Sequence, residues 1–210
     1  CENNRSNFQP YDVINRQFIG KRGFGFTARR DCELAIENAN QSFVCNWNGY
    51  NLQPYHIPKN LAVGKDNYGF KLLTDCAGAT FSASNNYVCQ WNGSNYQPHY
   101  QSSIVGVGKE GFGFRNLSDC RLSTENSFGR VICQWNGANY QPFNGERNTA
   151  IGKEKFGFAN LSSCLQVASK TFGQLSCNWD GKYYGIYDVD TNQESNSKFT
   201  LLSDCIAAIS

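Results

Sequence analysis

Cys45-Asn46-Trp47-Asn48-Gly49 returns as Cys89-Gln90-Trp91-Asn92-Gly93, as Cys133-Gln134-Trp135-Asn136-Gly137 and, with Asp for Asn, as Cys177-Asn178-Trp179-Asp180-Gly181. Each copy lies 44 residues after the last, and one more step back lands on Cys1. The chain of 210 residues therefore reads as a single repeat-array domain of five units, 1–44, 45–88, 89–132, 133–176 and 177–210.

The first and last units depart from the pattern. Unit one has Asn3 where the others have Trp and Arg5 where they have Gly, but keeps Gln9-Pro10, Gly20-Lys21 and Phe24-Gly25-Phe26. Units two to four share Gln-Pro (at Gln53, Gln97 and Gln141), Gly-Lys (at Lys65, Lys109 and Lys153) and an aromatic-Gly-Phe triplet. Unit five keeps Trp179, loses Gln-Pro and Gly-Lys, and is shorter. Atypical terminal units are usual in repeat proteins.

Ten cysteines, two per unit and none in a CxxC pair, predict five structural disulfides and an oxidising, extracellular compartment. They are Cys1, Cys32, Cys45, Cys76, Cys89, Cys120, Cys133, Cys164, Cys177 and Cys205. Two pairings fit the spacing. One closes 31 residues inside each unit, as in Cys45–Cys76. The other spans 13 residues, as in Cys32–Cys45 and Cys76–Cys89, and leaves Cys1 to meet Cys205. The second is preferred, because nine helical residues and a short returning strand cover similar distances. Its end-to-end bond implies a closed ring.

Within a unit, Tyr87 to Trp91 is β-rich, Asn92-Gly93 signals a hairpin turn, and Asn95 to Gln97 returns as a second strand edged by Pro98. A third strand is expected over Val107 to Phe114. The recurring Leu-Ser-Asp-Cys then reads as a helix start with Ser or Thr as N-cap. Cys32, Ala35, Ile36 and Ala39 form a helical stripe, as do Cys164, Val167, Ala168 and Thr171, with Gly173 as the stop. The expected fold is α+β: five tandem β-β-(β)-α repeats closed into a pseudo-five-fold ring and stapled by five disulfides. The alternative is an all-β five-bladed propeller, since 44 residues also suit a four-stranded blade.

Net charge is +2 with both signs interspersed, which supplies no basic footprint for nucleic acid. No apolar run reaches the roughly 18 residues of a membrane span. The chain reads as a mature form starting in repeat phase. His56 and His99 are the only histidines, neither has a Ser or Cys partner at motif spacing, and no catalytic, phosphate or zinc motif is present. No metal and no cofactor are expected, and the sequence reads as a binder rather than an enzyme.

Five near-copies suit a multivalent binder, and weak sites in many copies suit glycans. The residues expected to touch ligand are Trp47, Asn48, Gln53 and Lys65, then Trp91, Asn92, Gln97 and Lys109, then Trp135, Asn136, Gln141 and Lys153. An indole offers a plane for a sugar ring, and amides both donate and accept as sugar hydroxyls do. Each has a competing structural use: the indoles in packing, the asparagines in turns, the lysines in solvation. Repeat count with Trp and Asn/Gln content resembles the scheme of ring-shaped lectins built from five or six short repeats. The expected function is a secreted lectin whose partners are glycans or glycoproteins. The rivals are a structural or inhibitory protein-binding array and a secreted polysaccharide hydrolase. Asn-x-Ser sequons begin at Asn4, Asn40, Asn92, Asn116 and Asn160.

Overall fold

The computed structural model describes residues 1–83, 86–101, 104–171 and 174–210. Unit one contains β1 (Glu2–Asn3), β2 (Phe8–Gln9), β3 (Tyr11–Asp12), β4 (Gln17–Phe18) and α1 (Arg29–Glu37). Unit two contains β5 (Phe43–Trp47), β6 (Leu52–His56), β7 (Leu61–Ala62) and α2 (Leu73–Phe81). Unit three contains β8 (Tyr87–Trp91), β9 (Tyr96–Tyr100) and α3 (Leu117–Glu125). Unit four contains β10 (Val131–Trp135), β11 (Tyr140–Asn144), β12 (Thr149–Ala150) and α4 (Leu161–Lys170). Unit five contains β13 (Leu175–Trp179), β14 (Tyr184–Asp188), β15 (Glu194–Phe199) and α5 (Leu202–Ile209). The first long strand begins two residues before its cysteine, so structural units start slightly earlier than the sequence period suggests.

Five α+β units are thus present. The described sheets hold two or three antiparallel strands each and do not merge into a barrel or propeller, which overturns the five-bladed alternative. A propeller blade leaves no place for a helix, whereas here every unit uses one to cover its hairpin. In α2, α3 and α4 the helix packs between its own hairpin and the first long strand of the next unit, while α5 covers only its own sheet.

All five disulfides lie inside units: Cys1–Cys32, Cys45–Cys76, Cys89–Cys120, Cys133–Cys164 and Cys177–Cys205. This corrects the preferred 13-residue pairing and the Cys1–Cys205 closure. Chain length allowed either partner, but side-chain direction decides. The cysteine in the first helical turn faces the centre of its own hairpin, at Cα–Cα 5.8 Å in Cys45–Cys76. Each loop-closing bond stabilises by about 3–4 kcal/mol in the chain-entropy account. The described inter-unit hydrogen bonds join neighbouring units or the loops between them, and none joins unit five to unit one.

Three local expectations are also corrected. The hairpin expected at Asn-Gly is present, with a four-residue loop that Asn48 and Gly49 begin, since Trp47 pairs with Leu52; the return strand starts one residue later than expected, at Tyr96 in unit three. Val107 to Phe114 is not a strand: Gly108, Gly111 and Gly113 sit at φ 79°, 89° and 139°, and the Phe112 N–H closes a turn onto the Lys109 carbonyl. The short third strand comes earlier, at β7 and β12, and Thr149 and Ala150 pair with Asn144 and Phe143. The helices of units two to five start one residue before the Ser or Thr, which puts Asn116 and Asn160 at the N-cap positions of α3 and α4, where only Asn160 accepts a capping hydrogen bond. Asp75 and Asp119 still fall in the first turn, where the helix dipole favours them. Gly173 lies outside the described residues.

Candidate functional site

The motif amides form a lattice inside each unit. The Asn48 Oδ1 accepts from the Tyr50 and Asn51 N–H groups at 2.9 and 2.8 Å, which fixes the hairpin loop. Its Nδ2 donates to Gln53 Oε1 at 2.7 Å. The Gln53 Nε2 in turn donates to the carbonyls of Val63 and Lys65 at 2.7 and 3.0 Å. Asn92 with Gln97 and Asn136 with Gln141 repeat the arrangement. Gln53 and Gln141 have no solvent exposure. The hydrogen-bonding groups expected to meet ligand are therefore committed to backbone and to each other, because a buried amide without partners would cost about 1–3 kcal/mol.

A second set of amides, which the sequence reading missed, joins the units. The residue after each leading cysteine reaches back to the unit before: Asn46 to the Ile19 carbonyl at 2.8 Å, Gln90 to Val63 at 3.1 Å, Gln134 to Val107 at 2.9 Å and Asn178 to Ile151 at 2.9 Å. Asn60, Asn148 and Asn192 make the other link. Their Oδ1 atoms accept from the N–H groups of Gly20, Gly108 and Gly152 at 2.6, 2.5 and 2.6 Å. All three lie in the left-handed region, at φ 50°, 55° and 56°, which asparagine tolerates. The signal was an amide at fixed phase in unit after unit.

Between the links lies a cleft, and it recurs. Cavities of about 470, 360 and 610 Å³ open between units one and two, two and three, and three and four. One wall is the Gly-Lys turn of the preceding unit, carrying Lys21, Lys65 or Lys109 and the aromatic Phe24, Tyr68 or Phe112. The other wall is the following unit's hairpin, with Gln53, Gln97 or Gln141 and Tyr55, His99 or Phe143. The sequence grouped Trp, Asn, Gln and Lys within a unit; the fold instead brings the lysine of one unit to the amides of the next.

The rims are charged. Lys65 pairs with Glu110 at 2.5 Å, and Lys109 with Glu154 at 2.8 Å. The Glu110 hydrogen bond raises the Lys65 pKa, and the same contact holds the Glu110 carboxyl below its ordinary value. Burial pushes the Tyr55 hydroxyl up to about 12, with Asp66 nearby adding to the shift. Burial depresses the His99 imidazole to about 4, so it is neutral at physiological pH.

Trp47, Trp91 and Trp135 do not line these clefts. They are half-buried elsewhere on the junction, where Trp91 tilts against Tyr96 at 4.9 Å and Phe70 of the preceding unit stacks on that tyrosine at 6.1 Å. Trp135 meets Tyr140 in the same way, and Phe114 stacks on it.

The fourth junction is different. Unit five has Gly185 and Asp180 where unit four has Gln141 and Asn136. Lys198 bonds both Asp180, at 3.0 Å, and Glu194, while the Tyr187 hydroxyl donates to Glu194 at 2.9 Å. A Cβ on Gly185 would collide with the Glu194 carboxylate, so the acid occupies the space that the glutamine fills elsewhere. Backbone N–H groups, that of Tyr183 foremost, lower the Asp180 carboxyl to about 2. Lys153 has no acidic partner among the described residues.

Among the described residues no helix is long and apolar enough to cross a membrane. Compared with known protein families and with curated proteins, the chain matches none.

Proposed function

We propose that the chain is a secreted, multivalent glycan-binding protein whose sites are the first three unit junctions. The observation that carries the reading is the recurrence of one cleft, with an aromatic wall and a rim lysine, at three successive junctions, the lysine being paired with a glutamate at the second and third. A sugar ring presents an apolar face to an aromatic wall and hydroxyls to a charged, hydrogen-bonding rim. Three weak sites on one rigid array gain avidity of about 10² to 10⁴ when a branched or surface-bound glycan spans them. Five disulfides suit the extracellular setting where such ligands are displayed. The proposal is binding without turnover.

A second reading, a structural or protein-binding array, is favoured by the commitment of the motif amides to folding. A glycan-array screen of the oxidised protein separates the two. Saturable binding that Lys65→Ala and Lys109→Ala each weaken about tenfold, the worth of a charged hydrogen bond, supports the junction sites. A flat screen moves the function to the structural reading.

A further inference from the structure

At the junction of units four and five a separate groove of about 430 Å³ runs over Trp179. We infer that this groove is a neutral-sugar site of its own, distinct from the three junction clefts, with Trp179 as the stacking platform; the inference rests on the glycan reading.

Its apolar surface is made by Phe156, Trp179 and Tyr184. Trp179 is half-buried and braced by Tyr184 at 4.8 Å, and Phe158 stacks on that tyrosine at 6.2 Å, so the indole is held in place with part of its surface free. Asn139, Asn160 and Ser163 supply the polar edge, with Lys155 as the one charged residue of the lining and no carboxylate among them. Asn160 Oδ1 caps α4 through the Ser163 N–H at 2.9 Å. Among the described residues, neither the Asn160 Nδ2 nor the Ser163 hydroxyl has a hydrogen-bond partner. A braced indole flanked by an amide donor and a hydroxyl is the chemistry that receives the face and edge of an uncharged pyranose.

The neighbouring junctions explain why the site is at Trp179. The position held by Ala159 is Thr27, Lys71 and Arg115 in units one to three, and the position held by Ser163 is Asp31, Asp75 and Asp119. By the repeat, those positions set a larger side chain and a carboxylate at the places equivalent to the Trp179 groove. The Asp75 charge is felt at Tyr96, whose hydroxyl is pushed up first by burial and then by that carboxylate. Only at unit four are both positions small and uncharged.

The test follows the four indole N–H resonances of the intact, isotope-labelled protein during titration with cellotetraose, chitotetraose and maltotetraose. One indole is expected to shift saturably with at least one of the three. Ala159→Arg, which installs the side chain already accommodated in unit three, should weaken that shift at least tenfold and leave the other resonances in place. Arg115→Ala with Asp119→Ser should make a second indole respond. No shift, equal shifts in all four indoles, or an unchanged titration in the Ala159→Arg chain would overturn the inference. Calorimetric binding of the same sugars without any indole shift would overturn it too while leaving the junction clefts standing.

Discussion

Gln90 reaches back 27 residues to donate to the Val63 carbonyl at 3.1 Å, onto the same oxygen that already takes the Gln53 amide at 2.7 Å. One backbone oxygen thus closes a unit and fastens the next one to it. Both of its lone pairs are used, and both donors are buried. Gln90→Leu should destabilise the protein by about 1–1.5 kcal/mol, the net worth of one buried hydrogen bond, since the Val63 carbonyl keeps the Gln53 amide. Lys65→Ala should cost no more than about 0.5 kcal/mol, because its ion pair is exposed. Denaturant unfolding of the two variants measures the contrast, and equal losses would contradict this division between folding residues and rim residues.

Ile104 stands where Asn60, Asn148 and Asn192 make their inter-unit bonds, yet it keeps their left-handed backbone, at φ 60°. A β-branched side chain is strained there, and it offers no acceptor to Gly64, whose N–H reaches only the Ile104 carbonyl at 3.4 Å. Ile104→Asn should therefore stabilise by about 1 kcal/mol, read as a higher denaturation midpoint with an unchanged slope.

His99 makes stability depend on pH. Burial lowers its pKa from 6.5 to about 4, so the unfolded chain takes up a proton that the folded chain refuses. Its contribution is complete above the unfolded value and is lost as pH falls from about 6.5 towards 4, by up to about 3 kcal/mol. His56 is shifted in the same direction by desolvation and by Lys59. His99→Phe, which copies Phe143 of unit four, should flatten the profile measured by unfolding between pH 7 and 4.

Peptide mapping under non-reducing conditions should recover Cys45 with Cys76 and Cys177 with Cys205, never Cys76 with Cys89. Replacing both Cys89 and Cys120 by Ser should cost about 2–4 kcal/mol, because that bond lies buried between α3 and β8.

The period, the unit count and the order of strand and helix were legible because Cys, Trp, Gly and Pro recur at fixed phase. What stayed hidden was the direction of side chains. Cys76 had two partners at compatible chain distance, and only the packed helix picks Cys45. Gln53 and Asn48 read as ligand groups because recurrence marks what the unit needs without saying whether it needs it inside or out. The degeneracy of the ends becomes intelligible only once the junction is known. Unit one has Glu2 and Arg16 where later units carry the backward-reaching amides, while it keeps Gly20-Lys21 for unit two. Unit five keeps Asn178 and Asn192, which link it back to unit four, and lacks the Gly-Lys turn.

Native mass spectrometry of the oxidised chain, titrated with the best hit from the glycan screen, tests the central claim most directly. Three similar junction ligands per chain are predicted, beside any held at the Trp179 groove, with one of the three weakened about tenfold in Lys109→Ala. A stoichiometry of five, matching the units, or a single site untouched by that substitution would contradict it.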